Sequence, residues 1–193
     1  MKAFETLPEG YHEIYSVNLQ TDKKVMILVN ALSLLIAAVM GVIMHFFVPI
    51  TTFFNYAGGR DAYLLRIFSF LGLSVLYVVL HEAVHGIAMR LCGTKKVKFG
   101  LRGAYAFAGS TDYYDKSGYI FIALAPVVLW GVVLAIINPF VPTEWFWVVY
   151  FLQMFNVSGA AGDFFVTIRF AKMPRDILVT DCGVGMTVFS KQM

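Results

Sequence analysis

Charged residues are scarce in this chain, and their scarcity excludes most soluble folds. Only 14% of the 193 residues are charged and 59% are hydrophobic, whereas a soluble domain carries about 25% charged residues. The net charge is only +3, and no basic run is interleaved with aromatic residues, so we expect no nucleic-acid partner. The composition indicates a membrane protein instead.

Cysteines are also few, and the start of the chain does not have the pattern of a signal peptide. Cys92 and Cys182 are the two cysteines, too few for a disulfide framework or a cysteine-rich zinc ribbon. The first 24 residues are polar and mixed in charge, without the short basic start and early apolar core of a cleaved signal. We interpret them as a retained N-terminal tail.

Long apolar runs are what the chain has in abundance. A helix needs about 20 residues to cross a hydrocarbon layer of ~30 Å. Four runs are long enough, and they cover residues 25–50, 67–92, 119–141 and 145–168. We therefore predict an all-α membrane protein with about four transmembrane helices. Residues 25–168 would form the membrane domain, flanked by cytoplasmic tails at 1–24 and 169–193.

Lysine and arginine lie mostly on one side of these runs. Thirteen of the fifteen fall in the two tails or between Arg90 and Lys116, and only Arg60 and Arg66 fall on the other side. Because basic loops are retained in the cytoplasm, we expect a multi-pass protein of the cell membrane with both termini cytoplasmic. In the same loop, alternating apolar residues on both sides of Gly103 predict a short β-hairpin at the cytoplasmic membrane surface. The alternative for this segment is a solvated connector.

The second run carries three ionisable side chains in the segment HEAVH. His81 and His85 are four residues apart, so a helix places both imidazoles on one face, where they can share a metal ion. Glu82 lies one step around the helix and is predicted to act as a base on a water molecule rather than as a ligand. Ionisable groups in a membrane span usually mark a functional site. The alternative is a structural cluster whose members satisfy one another.

A third ligand should come from another run, since catalytic zinc takes three protein ligands. By helical rise, Asp163 lies roughly 9 Å from the cytoplasmic end of the fourth run, and His85 lies roughly 10 Å from the cytoplasmic end of the second. Glu144 would lie about 20 Å from this layer and is a poor candidate. The sequence therefore predicts that His81, His85 and Asp163 bind Zn²⁺.

Asn156 and Pro126 are two further unusual residues in apolar runs. Asn156 is a candidate catalytic residue that would bind a substrate carbonyl, and the alternative is a hydrogen bond between helices. The small residues 158–162 that follow it favour close helix packing or local unwinding. Pro126 removes one backbone hydrogen bond, and we predict a plain kink without a role in the site.

HEAVH on a membrane helix, followed by a span with Asn156 and Asp163, resembles the site-2-protease type of intramembrane zinc metalloprotease. The chain is most similar to the small bacterial membrane zincin-peptidase family, over about residues 76–168, and ALAP at 123–126 is similar to a segment on that family's middle helix. The resemblance implies a hydrolase of a bacterial plasma membrane. It would be a zinc-dependent endopeptidase that cleaves membrane-spanning protein substrates, with the hairpin presenting the substrate as an added strand.

Two other functions are compatible with the same residues. One is a non-catalytic membrane metal-binding protein, or a degenerate protease that binds membrane clients without cutting them. Metal transport is disfavoured because the outer halves of the runs offer only His45 and Glu144 as further ligands. The other function is a membrane protease for lipidated cytoplasmic substrates, in which a glutamate would be the third ligand. The sequence leaves the oligomeric state open.

Overall fold

A computed structural model describes residues 1–18, 21–56, 58–102, 105–183 and 185–192 of the chain. The described residues form five α-helices and two β-sheets, with short 3₁₀ turns after the first and third helices. The helices are α1 (Lys23–Phe47), α2 (Gly59–Leu91), α3 (Lys116–Ile137), α4 (Thr143–Gly159) and α5 (Ala161–Ala171).

Three of these helices are long and apolar enough to cross a membrane. They are α1, α2, and α3 together with the 3₁₀ turn that continues it to Phe140. The HEAVH segment lies near the end of α2, which stops at Leu91. Gly93 follows with φ of 107°, a left-handed conformation that glycine adopts without strain and that commonly terminates helices.

The fourth predicted span is not one helix, so the described helices include three unbroken candidate spans instead of the predicted four. The run 145–168 divides into α4, which ends at Gly159, and α5, which begins at Ala161. The residue between them, Ala160, departs from helical geometry with ψ of 12°. Glycine is a poor helix former, so the break falls in the sequence SGAAG, where two glycines lower the helix propensity. Asp163 therefore lies in the first turn of a new helix.

The prediction of an all-α fold is wrong, because the chain also forms a five-stranded antiparallel sheet. Its strands run in the order β1-β5-β6-β7-β2. They are β1 (Ala3–Phe4), β2 (His12–Asn18), β5 (Tyr113–Asp115), β6 (Leu178–Asp181) and β7 (Gly185–Ser190). Most of them come from the two segments that we interpreted as tails. Short strands far apart in the sequence carry little individual signal, so their pairing was not visible in the sequence.

The predicted hairpin is confirmed. Strand β3 (Lys98–Arg102) pairs with β4 (Tyr105–Gly109) in antiparallel register, with Phe99 opposite Ala108. Gly103, at the predicted turn, lies outside the described residues. The ring of Phe99 covers Gly86 of α2, where an added Cβ would collide with it. The hairpin is therefore seated on α2 one turn beyond Glu82.

The chain divides into two compact units. The sheet unit comprises Met1–Val29, His81–Pro126 and Gly162–Met193, and the helical unit comprises Asn30–Leu80 and Val127–Ala161. The core of the sheet unit is built from helix and strand side chains, and its fully buried members include Met89, Tyr114, Phe170, Val179 and Val188. The core of the helical unit is largely aromatic around Phe53, Trp147 and Tyr150.

Candidate metal centre

The two histidines of HEAVH lie on one face of α2, as their spacing predicts. Their ring centroids are 5.0 Å apart and the rings are nearly perpendicular. The side chains of His81 and His85 are only 13% and 12% exposed, so neither ring faces lipid. The local helix geometry alone fixes this pair, because residues four apart are neighbours on a helix.

Asp163 of α5 faces both histidines. Its Oδ2 atom is 4.0 Å from Nε2 of His81, and its Oδ1 atom is 3.9 Å from Nε2 of His85. The three ligand atoms lie within 4.8 Å of one another. Hydrogen bonds between such groups span about 2.7–3.2 Å, so the carboxylate and the two imidazoles face each other across a gap instead of bonding directly.

The gap is suited to a zinc ion. Zinc binds nitrogen and oxygen ligands at about 2.0–2.2 Å in tetrahedral geometry, which separates neighbouring ligand atoms by roughly 3.3 Å. The observed separations of 3.9 and 4.0 Å exceed that value by a shift that small side-chain rotations can close. Two imidazoles and one carboxylate also form a known ligand set of catalytic zinc, which leaves a fourth position for water or substrate.

Glu82 lies beside this group and is not one of its three members. Its carboxylate accepts a hydrogen bond from the backbone amide of Ala108 in β4. The next amide on the same edge, that of Ser110, donates to the carbonyl of Asp181 at 3.0 Å. The outer edge of β4 is therefore turned toward Glu82, and the hairpin borders the candidate centre.

His85 is oriented by a backbone carbonyl. Its Nδ1 atom lies 2.9 Å from the carbonyl oxygen of Ile122 in α3. A carbonyl oxygen only accepts hydrogen bonds, so Nδ1 must carry the proton. The unprotonated Nε2 is then the atom directed at Asp163, as a metal-binding imidazole requires.

Asp181 is a residue that sequence reasoning missed. It ends β6, where its Oδ2 accepts a 2.7 Å hydrogen bond from the hydroxyl of Tyr119 and its Oδ1 accepts a 2.7 Å bond from the amide of Gly183. Burial raises the pKa of Asp181, and its charge interacts with those of Asp163 and Glu82. The sequence analysis interpreted the segment 169–193 as a tail, and nothing in the sequence indicated that a strand of this segment ends beside the centre.

Asn156 belongs to the helical unit. It is fully buried, its Oδ1 accepts a 2.9 Å hydrogen bond from the hydroxyl of Tyr77, and its Nδ2 donates a 2.9 Å bond to the carbonyl of Val127. These bonds join α4 to α2 and α3, which is the structural alternative that the sequence left open. Glu144, the rejected third ligand, is exposed in the first turn of α4 in the same unit.

Comparison with known proteins identifies the family of this chain. The sequence matches the family described as "Putative zincin peptidase" over residues 74–178, more than half of the chain. The chain belongs to that family. The matched region contains HEAVH and Asp163, and zincin peptidases are zinc metalloproteases.

One curated relative also matches. It is an "Uncharacterized 24.7 kDa protein in gap 5'region" from Pyrococcus woesei, 30% identical over 117 residues that cover 58% of this chain. The chain spans about half the length of that relative, since the alignment covers 50% of it. No solved structure matches the chain.

Proposed function

We propose that this protein is an intramembrane zinc-dependent endopeptidase of the site-2-protease type. The observation that carries the proposal is the convergence of His81, His85 and Asp163 at separations too long for hydrogen bonds and suited to one shared cation. Membership in a zincin family and three helices long enough to cross a membrane support the same conclusion.

His81, His85 and Asp163 would hold the zinc ion in this proposal. The bound ion supplies Lewis-acid chemistry, polarising the scissile carbonyl and acidifying a water molecule. Glu82 would accept the proton of the attacking water as the C–O bond forms, and would then give it to the leaving amine as the peptide C–N bond breaks. Asn156 is the predicted additional donor to the oxyanion. Its bonds to Tyr77 and Val127 support a structural role instead.

The substrate would be a membrane-spanning segment that unwinds locally. A closed helix hides its peptide bonds through its own hydrogen bonds. An extended segment can instead pair with a free strand edge, as in other β-augmentation complexes. The outer edge of β4 borders Glu82 at Ala108 and is occupied by Asp181 at Ser110, so a peptide would pair with the part of this edge that precedes Ala108. A peptide added along that edge would run beside the general base.

The location follows the charge distribution. With thirteen of fifteen basic residues on one side of the apolar runs, both termini would be cytoplasmic, which requires the run 145–168 to cross as a broken span. The zinc site would then lie within roughly 10 Å of the cytoplasmic face. The lipid bilayer and a membrane-spanning protein are the partners that this placement requires.

The decisive experiment is Glu82→Gln, assayed in detergent or liposomes against a panel of transmembrane segments with helix-destabilising residues near their cytoplasmic ends. We expect one zinc per chain to be retained and cleavage to fall at least 10²–10⁴-fold, the usual contribution of a general base. Glu144→Gln is the matched control, because it makes the same chemical change at an exposed site in the helical unit.

Cleavage that persists in Glu82→Gln at the wild-type rate would refute the mechanism. Zinc binding without cleavage of any segment by the wild-type protein would instead favour the alternative function, a membrane metal-binding protein or a degenerate protease that binds clients.

A further inference from the structure

Helix α3 contains a proline in its interior, at a position that matters to His85. In an α-helix each amide donates to the carbonyl four residues earlier. Pro126 has no amide proton, so the carbonyl that loses its helical donor is that of Ile122. A proline ring also pushes this carbonyl away from the helix axis. Pro126 lies inside α3 and is fully buried.

The carbonyl released in this way is the one that binds His85. Nδ1 of His85 lies 2.9 Å from the Ile122 oxygen, and both residues belong to the sheet unit, as does Pro126. The His85 N–H thus takes the place of the missing amide. A buried carbonyl left without any donor in an apolar environment would be costly. His85 supplies the donor that Pro126 lacks, and the carbonyl supplies the acceptor that Nδ1 of His85 needs.

This bond fixes which nitrogen of His85 is available. With the proton held on Nδ1, the lone pair is on Nε2, the atom that lies 3.9 Å from Asp163. If residue 126 had an amide proton, that amide would compete with His85 for the Ile122 carbonyl. The ring would then be free to rotate, or to place its proton on the nitrogen that a metal needs.

We propose that Pro126 is a positioning residue of the metal centre. By lacking an amide proton, it reserves the Ile122 carbonyl for His85 and so presets the tautomer and orientation of one ligand. The inference deepens the proposed function and rests on it, but only on zinc binding and not on proteolysis. It also replaces the prediction that Pro126 causes a plain kink without a role in the site.

The test is Pro126→Ala, which returns one amide proton to the helix. Zinc affinity is measured by competition with a chelator, and unfolding is measured on the metal-free protein. We expect zinc affinity to fall about 10–100-fold, the usual effect of removing an outer-shell partner. We expect the midpoint of unfolding to be unchanged or higher, because alanine is a better helix former than proline. A purely structural proline would leave zinc affinity unaltered.

A matched variant isolates the single proton. Pro126→lactic acid, introduced by nonsense suppression, carries the same methyl side chain as Pro126→Ala but has an ester oxygen in place of the amide. We expect it to bind zinc within about threefold of the wild type. The ester, like proline, offers no amide proton to the Ile122 carbonyl, and a remaining difference of this size is ordinary scatter between separate sites. If Pro126→Ala folds poorly, a lactic acid variant that folds and binds zinc much more weakly than the wild type still overturns the inference.

Three outcomes overturn the inference. They are wild-type zinc affinity in Pro126→Ala, a lactic acid variant as weak as the alanine variant, and a wild-type protein that binds no zinc. The last also overturns the proposed function. A wild-type protein that binds zinc without cutting any substrate overturns the proteolytic function alone, and the affinities of the two variants then still decide the role of Pro126.

Discussion

The sheet unit and the helical unit each contain a polar cluster among apolar helices, and the two clusters are built differently. In the helical unit, Asn156 bonds to Tyr77 and Val127 at 2.9 Å each. In the sheet unit, Asp163 stands 3.9 and 4.0 Å from two imidazoles. Groups that close on one another at hydrogen-bond distance stabilise a helix bundle. Groups that converge without closing leave room for a ligand.

The composition of the clusters agrees with this contrast. An amide and a hydroxyl are neutral and can be satisfied by neutral partners at modest cost. A carboxylate and two imidazoles are ionisable groups. Keeping them in an apolar environment requires that a cation, or the groups themselves, compensate their charge. The comparison therefore assigns a structural role to one cluster and a binding role to the other, and each assignment can be tested.

The largest effect is expected from Asp163→Ala. Removing one of three predicted ligands should reduce bound zinc from about one per chain to near zero at chelator concentrations that leave the wild type loaded. The measurement is metal content of the purified protein after chelator dialysis. Glu144→Ala, the other acidic residue beside the fourth run, is the control and should retain its zinc. Equal zinc content in Asp163→Ala and the wild type would send the search to another ligand.

A smaller effect is expected from Asn156→Ala. It leaves the Tyr77 hydroxyl and the Val127 carbonyl without this partner, and we expect a loss of about 1–2 kcal/mol in the free energy of unfolding. Bound zinc should stay at the wild-type level. Stability is measured by detergent-induced unfolding, and zinc by the same dialysis. Loss of zinc together with unchanged stability would reverse the assignments of the two clusters.

The smallest effect is expected from Asp176, a carboxylate of the sheet unit whose Oδ2 atom is already hydrogen-bonded within the protein. Its Oδ2 accepts 2.9 Å hydrogen bonds from the Lys191 amide and the Ser190 hydroxyl, and the Lys191 amide in particular lowers the pKa of Asp176. A carboxyl whose pKa is lower in the folded state stabilises the fold above its unfolded pKa. That contribution is lost as the pH falls through the folded pKa.

Asp176→Asn should therefore lower the unfolding midpoint slightly at neutral pH, and the difference from the wild type should shrink in acid. Midpoints measured across a pH series check this, with zinc content unchanged throughout. A difference that is the same at every pH would mean that the charge of Asp176 contributes nothing. In that case the pH dependence of the unfolding midpoint would not distinguish a hydrogen-bonded carboxylate such as Asp176 from a carboxylate that binds a metal.

The sequence predicted the parts that depend on local geometry. Three apolar helices, the hairpin at 98–109 and the common face of His81 and His85 are confirmed, because each depends on periodicity within a short segment. Asp163 was found by counting helical rise along two runs. The structure brings its carboxylate to 3.9 and 4.0 Å from the two imidazoles, although the fourth run is broken at Ala160, since the break lies outside the stretch from Asp163 to the end of the run. Its role as a metal ligand stays a prediction.

The sequence failed where contacts join distant segments. The five-stranded sheet pairs β2 with β7 and β1 with β5, and these short strands have no strong signal of their own. Asp181 beside the centre and the Ile122 carbonyl on His85 are of the same kind. Pro126 was visible in the sequence, but its effect depends on which side chain reaches the carbonyl that it releases.

The amino-acid sequence by itself determined that this chain has helices long and apolar enough to cross a membrane. It also determined that two imidazoles and a carboxylate, those of His81, His85 and Glu82, lie on one turn of such a helix. Backbone periodicity encodes that arrangement without any help from the rest of the protein. The tertiary structure alone decided how closely Asp163 approaches the two imidazoles and which nitrogen of His85 is left to bind. Those outcomes depend on how separate helices and strands pack, and local sequence patterns do not specify the distances between segments that are far apart in the chain.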